Sequence, residues 1–201
     1  MRTPLVHLDV DGDVHLKLEN LQPIGSFKLR GATNAIALAD PDALAHGVWT
    51  ASAGNMAQGV AWCARSLGVQ CRVVIPETAP QAKRGAVKRL GAEVILVPPE
   101  EWLEVFRTRE REGMQGLFVH PFSDKDVMAG NGTIGLELLE DLPDLDAVVV
   151  PWGGGGLACG IASALRALRP AVRVYAAEDA AAARLVYERA MRDGAGTEVD
   201  L

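Results

Sequence analysis

Aromatic side chains are scarce in this chain: four Phe, four Trp and two Tyr make up 5% of its 201 residues. Its core must therefore be built from Ala, Val and Leu. The 49% hydrophobic content is enough for one large domain or two small ones. Cysteine is sparse as well. Cys63, Cys71 and Cys159 are odd in number and have no CxxC spacing, so they are small core residues of a reducing cytosol and not a disulfide framework. Basic excess is absent too: 20 Lys and Arg face 26 Asp and Glu, for a formal charge of −6. That balance argues against a nucleic-acid or anionic-membrane partner, because nothing is left over to neutralise phosphates. No apolar run approaches the roughly 20 residues of a membrane span. The first residues lack the basic, apolar, small-residue grammar of a signal peptide, and a cytoplasmic protein is expected.

What is present is an alternation of strand-like and helix-like segments. Strands are predicted at 14–18, 48–51, 71–75, 93–97, 117–119, 147–150 and 172–175. Helices are predicted at 27–38, 55–67, 81–90, 100–112, 133–142 and 157–168. Met56, Val60, Ala64 and Leu67 recur at helical steps, as do Leu157, Ile161, Leu165 and Leu168. Ala147-Val148-Val149-Val150 is continuously apolar, as a strand buried on both faces must be. Alternation of this kind implies crossover connections, a mostly parallel sheet and an α/β fold.

Three short stretches carry chemistry. Gly153-Gly154-Gly155-Gly156 follows the predicted strand and opens the helix at Leu157. Glycines let the backbone approach a ligand, and the unpaired N–H groups of a first helical turn face an anion. The alternative is a plain flexible turn. The spacing is not that of a dinucleotide fingerprint, and no Lys-Ser/Thr pair follows as in a P-loop, so a phosphate monoester fits best. Lys28 lies between Phe27 and Leu29, just after Gly25-Ser26. A lysine so placed either snorkels to solvent or, partly desolvated, becomes a nucleophile, with Phe27 walling off a flat ring. Ser52-Ala53-Gly54-Asn55 heads the helix that continues through Met56. Ser and Asn are good helix caps, and the same free N–H groups suit a substrate carboxylate. An amine, a nest of donors and a phosphate cradle in one chain are the parts needed to hold pyridoxal 5'-phosphate.

These stretches, with Arg2-Thr3-Pro4-Leu5, Lys17-Leu18-Glu19-Asn20-Leu21-Gln22, Gly25 to Ala32 and Ala129-Gly130-Asn131-Gly132-Thr133, give the chain a marked resemblance. It resembles the fold-type II (tryptophan synthase β-like) pyridoxal-phosphate enzymes, and within them the threonine/serine dehydratase and serine racemase group. The resemblance implies two lobes of mostly parallel twisted sheet with helices on both faces. A small lobe at 47–123 would be inserted in a larger one formed by 1–46 and 124–201. It also implies that Lys28 is the Schiff-base lysine, that Phe27 packs near the cofactor ring, and that Asn55 contacts the ring hydroxyl. Gly153, Gly154, Gly155, Gly156 and Leu157 would hold the phosphate, and Ser52, Ala53, Gly54, Asn55 and Met56 would take the substrate carboxylate.

Departures from the family pattern sharpen these expectations. Racemases of the group carry a serine where this chain has Ala53, and alanine cannot deliver a proton, so dehydration is favoured over racemisation. Met56 replaces a usual histidine. The racemase-type cation site would include Glu178, but Ala180-Ala181-Ala182-Ala183-Arg184 follows it, so no metal is expected. The chain has about two thirds of a usual catalytic domain, and the C-terminal part of the larger lobe is expected to be missing. The implied reaction is β-elimination of a 3-hydroxy amino acid, threonine or serine, to a 2-oxo acid and ammonia, by a homodimer in the complete form. A β-replacement synthase of the same fold, a non-catalytic amino-acid or cofactor-binding fragment, and a nucleotide-binding α/β protein are the alternatives. His7, His15, His46 and His120 are scattered, which suits structural or exposed roles.

Overall fold

A computed structural model describes residues 1–10 and 12–178. By packing, the chain divides into two units, Glu19–Gly130 with Met1, and Arg2–Leu18 with Asn131–Leu201. The first strands, β1 (Leu5–His7) and β2 (His15–Lys17), form an antiparallel hairpin of the second unit. Of the two, only β2 falls within a strand predicted from the sequence, at 14–18.

The first unit is built on a parallel four-stranded sheet in the order β5-β4-β3-β6, with β3 at Val48–Ala51, β4 at Cys71–Pro76, β5 at Glu93–Val97 and β6 at Leu117–Phe118. Helices α1 (Lys28–Ala37), α3 (Asn55–Leu67) and α4 (Gln81–Arg89) contribute to one apolar cluster, and α5 (Pro99–Thr108) to another. Successive strand residues alternate between the clusters. Val48, Val73 and Ile75 enter the first, whereas Trp49, Ala51 and Val74 enter the second. This is the period-2 geometry of strands covered on both faces. A short α2 (Pro41–Ala45) stands where the sequence reads only as a helix break. Asp40 accepts from the Asp42 N–H and proline occupies the first turn, where its missing N–H costs nothing.

Two helix boundaries differ from expectation for identifiable reasons. The helix expected at 100–112 stops at Thr108, and Arg109 turns left-handed with φ 63°. Residues 109–113 (Arg-Glu-Arg-Glu-Gly) hold no apolar side chain, so no buried face sustains another turn. The Arg109 guanidinium is instead fastened to the Ser123 carbonyl at 2.6 Å. The helix expected at 133–142 begins eight residues earlier, as α6 (Lys125–Asp141). Asp124 caps it, its carboxylate accepting the N–H groups of Asp126 and Val127 at 2.8 and 3.1 Å. Glycines that lower helix propensity there serve close packing. A Cβ on Gly130 would stand 2.4 Å from the Arg30 carbonyl oxygen of α1. Gly130→Ala is therefore expected to destabilise the protein by about 3 kcal/mol, read as a lowered urea midpoint at unchanged slope. A midpoint equal to wild type would show that α1 and α6 can separate freely.

In the second unit β7 (Ala147–Pro151) and β8 (Arg173–Ala177) pair in parallel, connected through α7 (Gly156–Leu168). The later part of α6 lies close on α7: a Cβ on Gly132 would come 2.8 Å from the Gly160 carbonyl oxygen. Lys17 ties the hairpin to α6, donating to Glu137 at 2.7 Å, Asp141 at 3.2 Å and the Thr3 carbonyl at 2.7 Å. The expectation that 147–150 is buried on both faces is not met among the described residues. Only Val150 is buried and Val149 is 38% exposed, because β8 is the one strand paired with β7. Within the first unit α1 packs against α3.

Candidate active site

Strand order decides where the first unit can hold a ligand. The chain winds outward from β3 to β4 to β5, then returns to place β6 on the other side of β3. Loops leaving the C-terminal ends of β3 and β6 therefore stand at a switch point of strand order, where open α/β sheets place their ligands. One loop is Ser52 to Gly54, and the other runs from Val119 to Asp124. They are held side by side by the Val119 N–H on the Trp49 carbonyl (2.9 Å) and the buried Thr50 hydroxyl on the Val119 carbonyl (2.7 Å).

Lys28 comes to the same place from α1. Gly25 turns with φ 69°, the Ser26 hydroxyl accepts the Lys28 N–H at 3.3 Å, and α1 starts at Lys28 without any other side-chain cap. Its position is set by α3, where Gly59 allows close approach: a Cβ there would lie 3.3 Å from the Lys28 carbonyl oxygen. The ammonium donates to the Pro121 carbonyl at 2.6 Å and lies 5.1 Å from the centre of the Phe27 ring. Burial pushes this amine down to about 8. Among the described residues no carboxylate pairs with it, in contrast with Lys17, which two carboxylates hold.

The start of α3 corrects the expected capping. Gly54, not Ser52 or Asn55, is the cap residue, and no side chain caps the helix. Ser52 closes its own small turn, its hydroxyl accepting the Gly54 N–H at 3.2 Å. The first N–H groups of α3 thus have no side-chain acceptor and suit an anion. Asn55 is exposed in the first turn, and Ala53 is half-buried beside the core. The Met56 side chain is buried in the core, which leaves only its N–H for a ligand.

In the second unit Gly153 and Gly154 are exposed, and no atom lies within 4 Å of where a Cβ of Gly153 would stand. Gly155 is the left-handed cap of α7 with φ 82°, and a Cβ there would come 3.2 Å from the Trp152 ring. No side chain caps α7, so its first N–H groups lack a side-chain acceptor. Leu157 is buried and offers only its N–H. The Glu178 side chain is exposed, and positions 180–184, on which the absence of a cation site was argued, lie outside the described residues.

Sequence reasoning missed the backbone carbonyl of Pro121 and the role of His120. His120 Nδ1 accepts the N–H groups of Phe122 and Ser123 at 3.2 and 2.8 Å, which fixes the loop that presents the Pro121 carbonyl. Burial, then the nearby Arg109 charge, lowers this imidazole to about 4, so it stays neutral and acts as an acceptor. The available signal was His120-Pro121-Phe122 directly after a strand; its partners became visible only in the fold.

Taken separately, the first unit offers a buried amine that no carboxylate pairs among the described residues, and the second offers a helix start behind three glycines with no side-chain cap. An amine suits an aldehyde and such a helix start suits a phosphate monoester, in a chain of α/β class. The model of the pyridoxal-phosphate dependent enzyme family matches residues 1–200, and the chain belongs to that family. The family's cofactor is pyridoxal 5'-phosphate. The chain is 48% identical over 166 residues to the L-threonine ammonia-lyase of Thermotoga maritima, covering 81% of this chain and 41% of that protein. It is 48% identical over 182 residues to a catabolic L-threonine dehydratase of Staphylococcus aureus, covering 86% and 52%. Maize serine racemase superposes with a TM-score of 0.83 at 36% identity, over 96% of this chain and 60% of that one. The processed form of threonine deaminase isoform 2 from Solanum lycopersicum gives 0.80 at 34% identity, over 96% and 55%. The chain spans about half the length of the curated relatives it matches. Among the described residues no helix is long and apolar enough to cross a membrane.

Proposed function

We propose that this chain carries the cofactor-anchoring and substrate-carboxylate elements of an ammonia-lyase that removes water from L-threonine or L-serine and releases a 2-oxo acid and ammonia. The observation that carries the reading is the Lys28 amine, lowered by burial to about 8, at the switch point beside the uncapped start of α3. The names of the relatives at 48% identity support the same chemistry. Bound pyridoxal phosphate supplies an electron sink for a carbanion at the substrate α-carbon. Lys28 Nζ would anchor its aldehyde, and the N–H groups of Gly153 to Leu157 would take its phosphate. Phe27 would pack near the ring and Asn55 would contact its hydroxyl. The N–H groups of Ser52 to Met56 orient the substrate carboxylate, which aims the α-proton. Lys28 Nζ, once free, accepts that proton as general base, and its depressed pKa keeps a large neutral fraction near pH 8. The Pro121 carbonyl holds the amine in reach between these tasks.

In this reading the complete protein is a cytoplasmic homodimer with lobes at 47–123 and at 1–46 with 124–201. It needs no metal and has no nucleic-acid partner. The test is to incubate the protein, expressed from its whole natural reading frame, with L-threonine and L-serine and measure 2-oxo acid and ammonia. Equal amounts of the two are expected. Cysteine formed from a β-activated serine and sulfide, without 2-oxo acid from threonine, would assign it to β-replacement instead.

A further inference from the structure

Asn131 lies on α6 and is completely buried, with no role in the reading above. Its side-chain Nδ2 donates to the Gly156 carbonyl at 3.1 Å, while its Oδ1 is buried without a hydrogen-bond partner. The orientation of the amide is settled by chemistry, because only the NH2 end can donate to a carbonyl. Gly156 is the first residue of α7 and part of the glycine run. Glycines bring the two helices together: a Cβ on Gly132 would collide with the Gly160 carbonyl oxygen at 2.8 Å, and one on Gly135 would press on Ala164 and Ile161 at 3.2 and 3.3 Å. A buried polar side chain is retained against a desolvation cost of about 1–3 kcal/mol for its unpaired oxygen. That cost, incurred at the base of an uncapped helix start, points to a task at the glycine run.

We propose that Asn131 is the positioning residue of the phosphate cradle. Its amide holds the Gly156 carbonyl back into the protein, which keeps the peptide N–H groups at the start of α7 turned outward towards an anion. The orphan Oδ1 is the acceptor for a buried donor that completes the loop when phosphate is bound. This rests on the reading of Gly153 to Leu157 as the phosphate site and adds the residue that shapes it.

The test compares capture of pyridoxal phosphate with capture of pyridoxal, which has the same aldehyde and no phosphate. Both are followed by absorbance in the complete protein, with inorganic phosphate as competitor. Asn131→Asp keeps the shape but sets a carboxylate against the Gly156 carbonyl. It is expected to weaken pyridoxal phosphate and inorganic phosphate by about tenfold or more. Capture of pyridoxal at Lys28 should be unchanged. Asn131→Ser serves as second variant and should weaken phosphate in the same selective way. Equal loss for both aldehydes, unchanged phosphate affinity, or failure of both variants to fold would reduce Asn131 to a core residue and overturn the proposal. Failure of the wild-type protein to capture either aldehyde would instead strike the cofactor site itself.

Discussion

Lys28→Ala is expected to lower turnover by about 10³-fold or more, because in the proposed reading one amine serves as both anchor and base. Borohydride treatment of the wild-type holoprotein should fix the cofactor on Lys28. A label on Lys17 or Lys125 would refute the assignment, and Lys17 is a demanding control because it too is buried, but between Glu137 and Asp141. The variant should still bind inorganic phosphate. A second signature follows from the lowered pKa. Below pH 8 the neutral fraction of the amine falls about tenfold per pH unit, so cofactor capture should rise with that slope and level off above about 8. Stability carries the opposite face of the same shift. An ordinary lysine titrates near 10.5 and this one near 8, so between these values the unfolded chain holds a proton that the folded chain has released. Stability therefore rises with pH across that window. Lys28→Met should stabilise the cofactor-free protein most below pH 8, with the gain vanishing above 10.5. A gain independent of pH would mean that packing, not the desolvated charge, was relieved.

If the proposed elimination holds, Ala53→Ser is expected to turn the site partly into a racemising one. Ala53 lies in the loop between β3 and α3, next to the open N–H groups of the helix, and has no atom that can carry a proton. A proton lost to Lys28 therefore returns only from the lysine's own side. A hydroxyl at this position supplies a donor on the other side, and a positioned acid or base contributes about 10²–10⁴-fold to a proton transfer. With L-serine the wild-type complete protein should yield pyruvate with little D-serine, and the variant should raise the D-serine share by about tenfold or more. Abundant D-serine from the wild type would show that another residue delivers the second proton. Likeness to maize serine racemase at 36% identity makes this outcome worth measuring, since the folds themselves do not separate the two reactions.

Much of the protein was legible in one dimension. Val48–Ala51, Asn55–Leu67 and Glu93–Val97 fall where periodicity and apolar runs place them, because burying an alternating or helical stripe is decided locally. Lys28 after Gly25-Ser26 and the glycine run were equally plain as candidates, since each is a contiguous motif. The early start of α6 was hidden by its glycines, whose low helix propensity is offset only when α1 and α7 pack into the spaces they leave. The capping of α3 by Gly54 and the burial of Met56 likewise depend on how the helix meets the sheet.

The sequence by itself determined the α/β class, the order of the elements other than β1 and α2, and the chemical inventory: an amine, two glycine-bearing helix starts and an alanine where the resemblance implies a serine in racemases. Tertiary structure alone decided that Lys28 meets the Pro121 carbonyl 93 residues away, that burial lowers its pKa, and that Asn131 reaches Gly156 across 25 residues. The physical reason is that desolvation and hydrogen bonding depend on distances through space. In a doubly wound sheet those distances are set by strand order, which brings together loops that no sequence window contains.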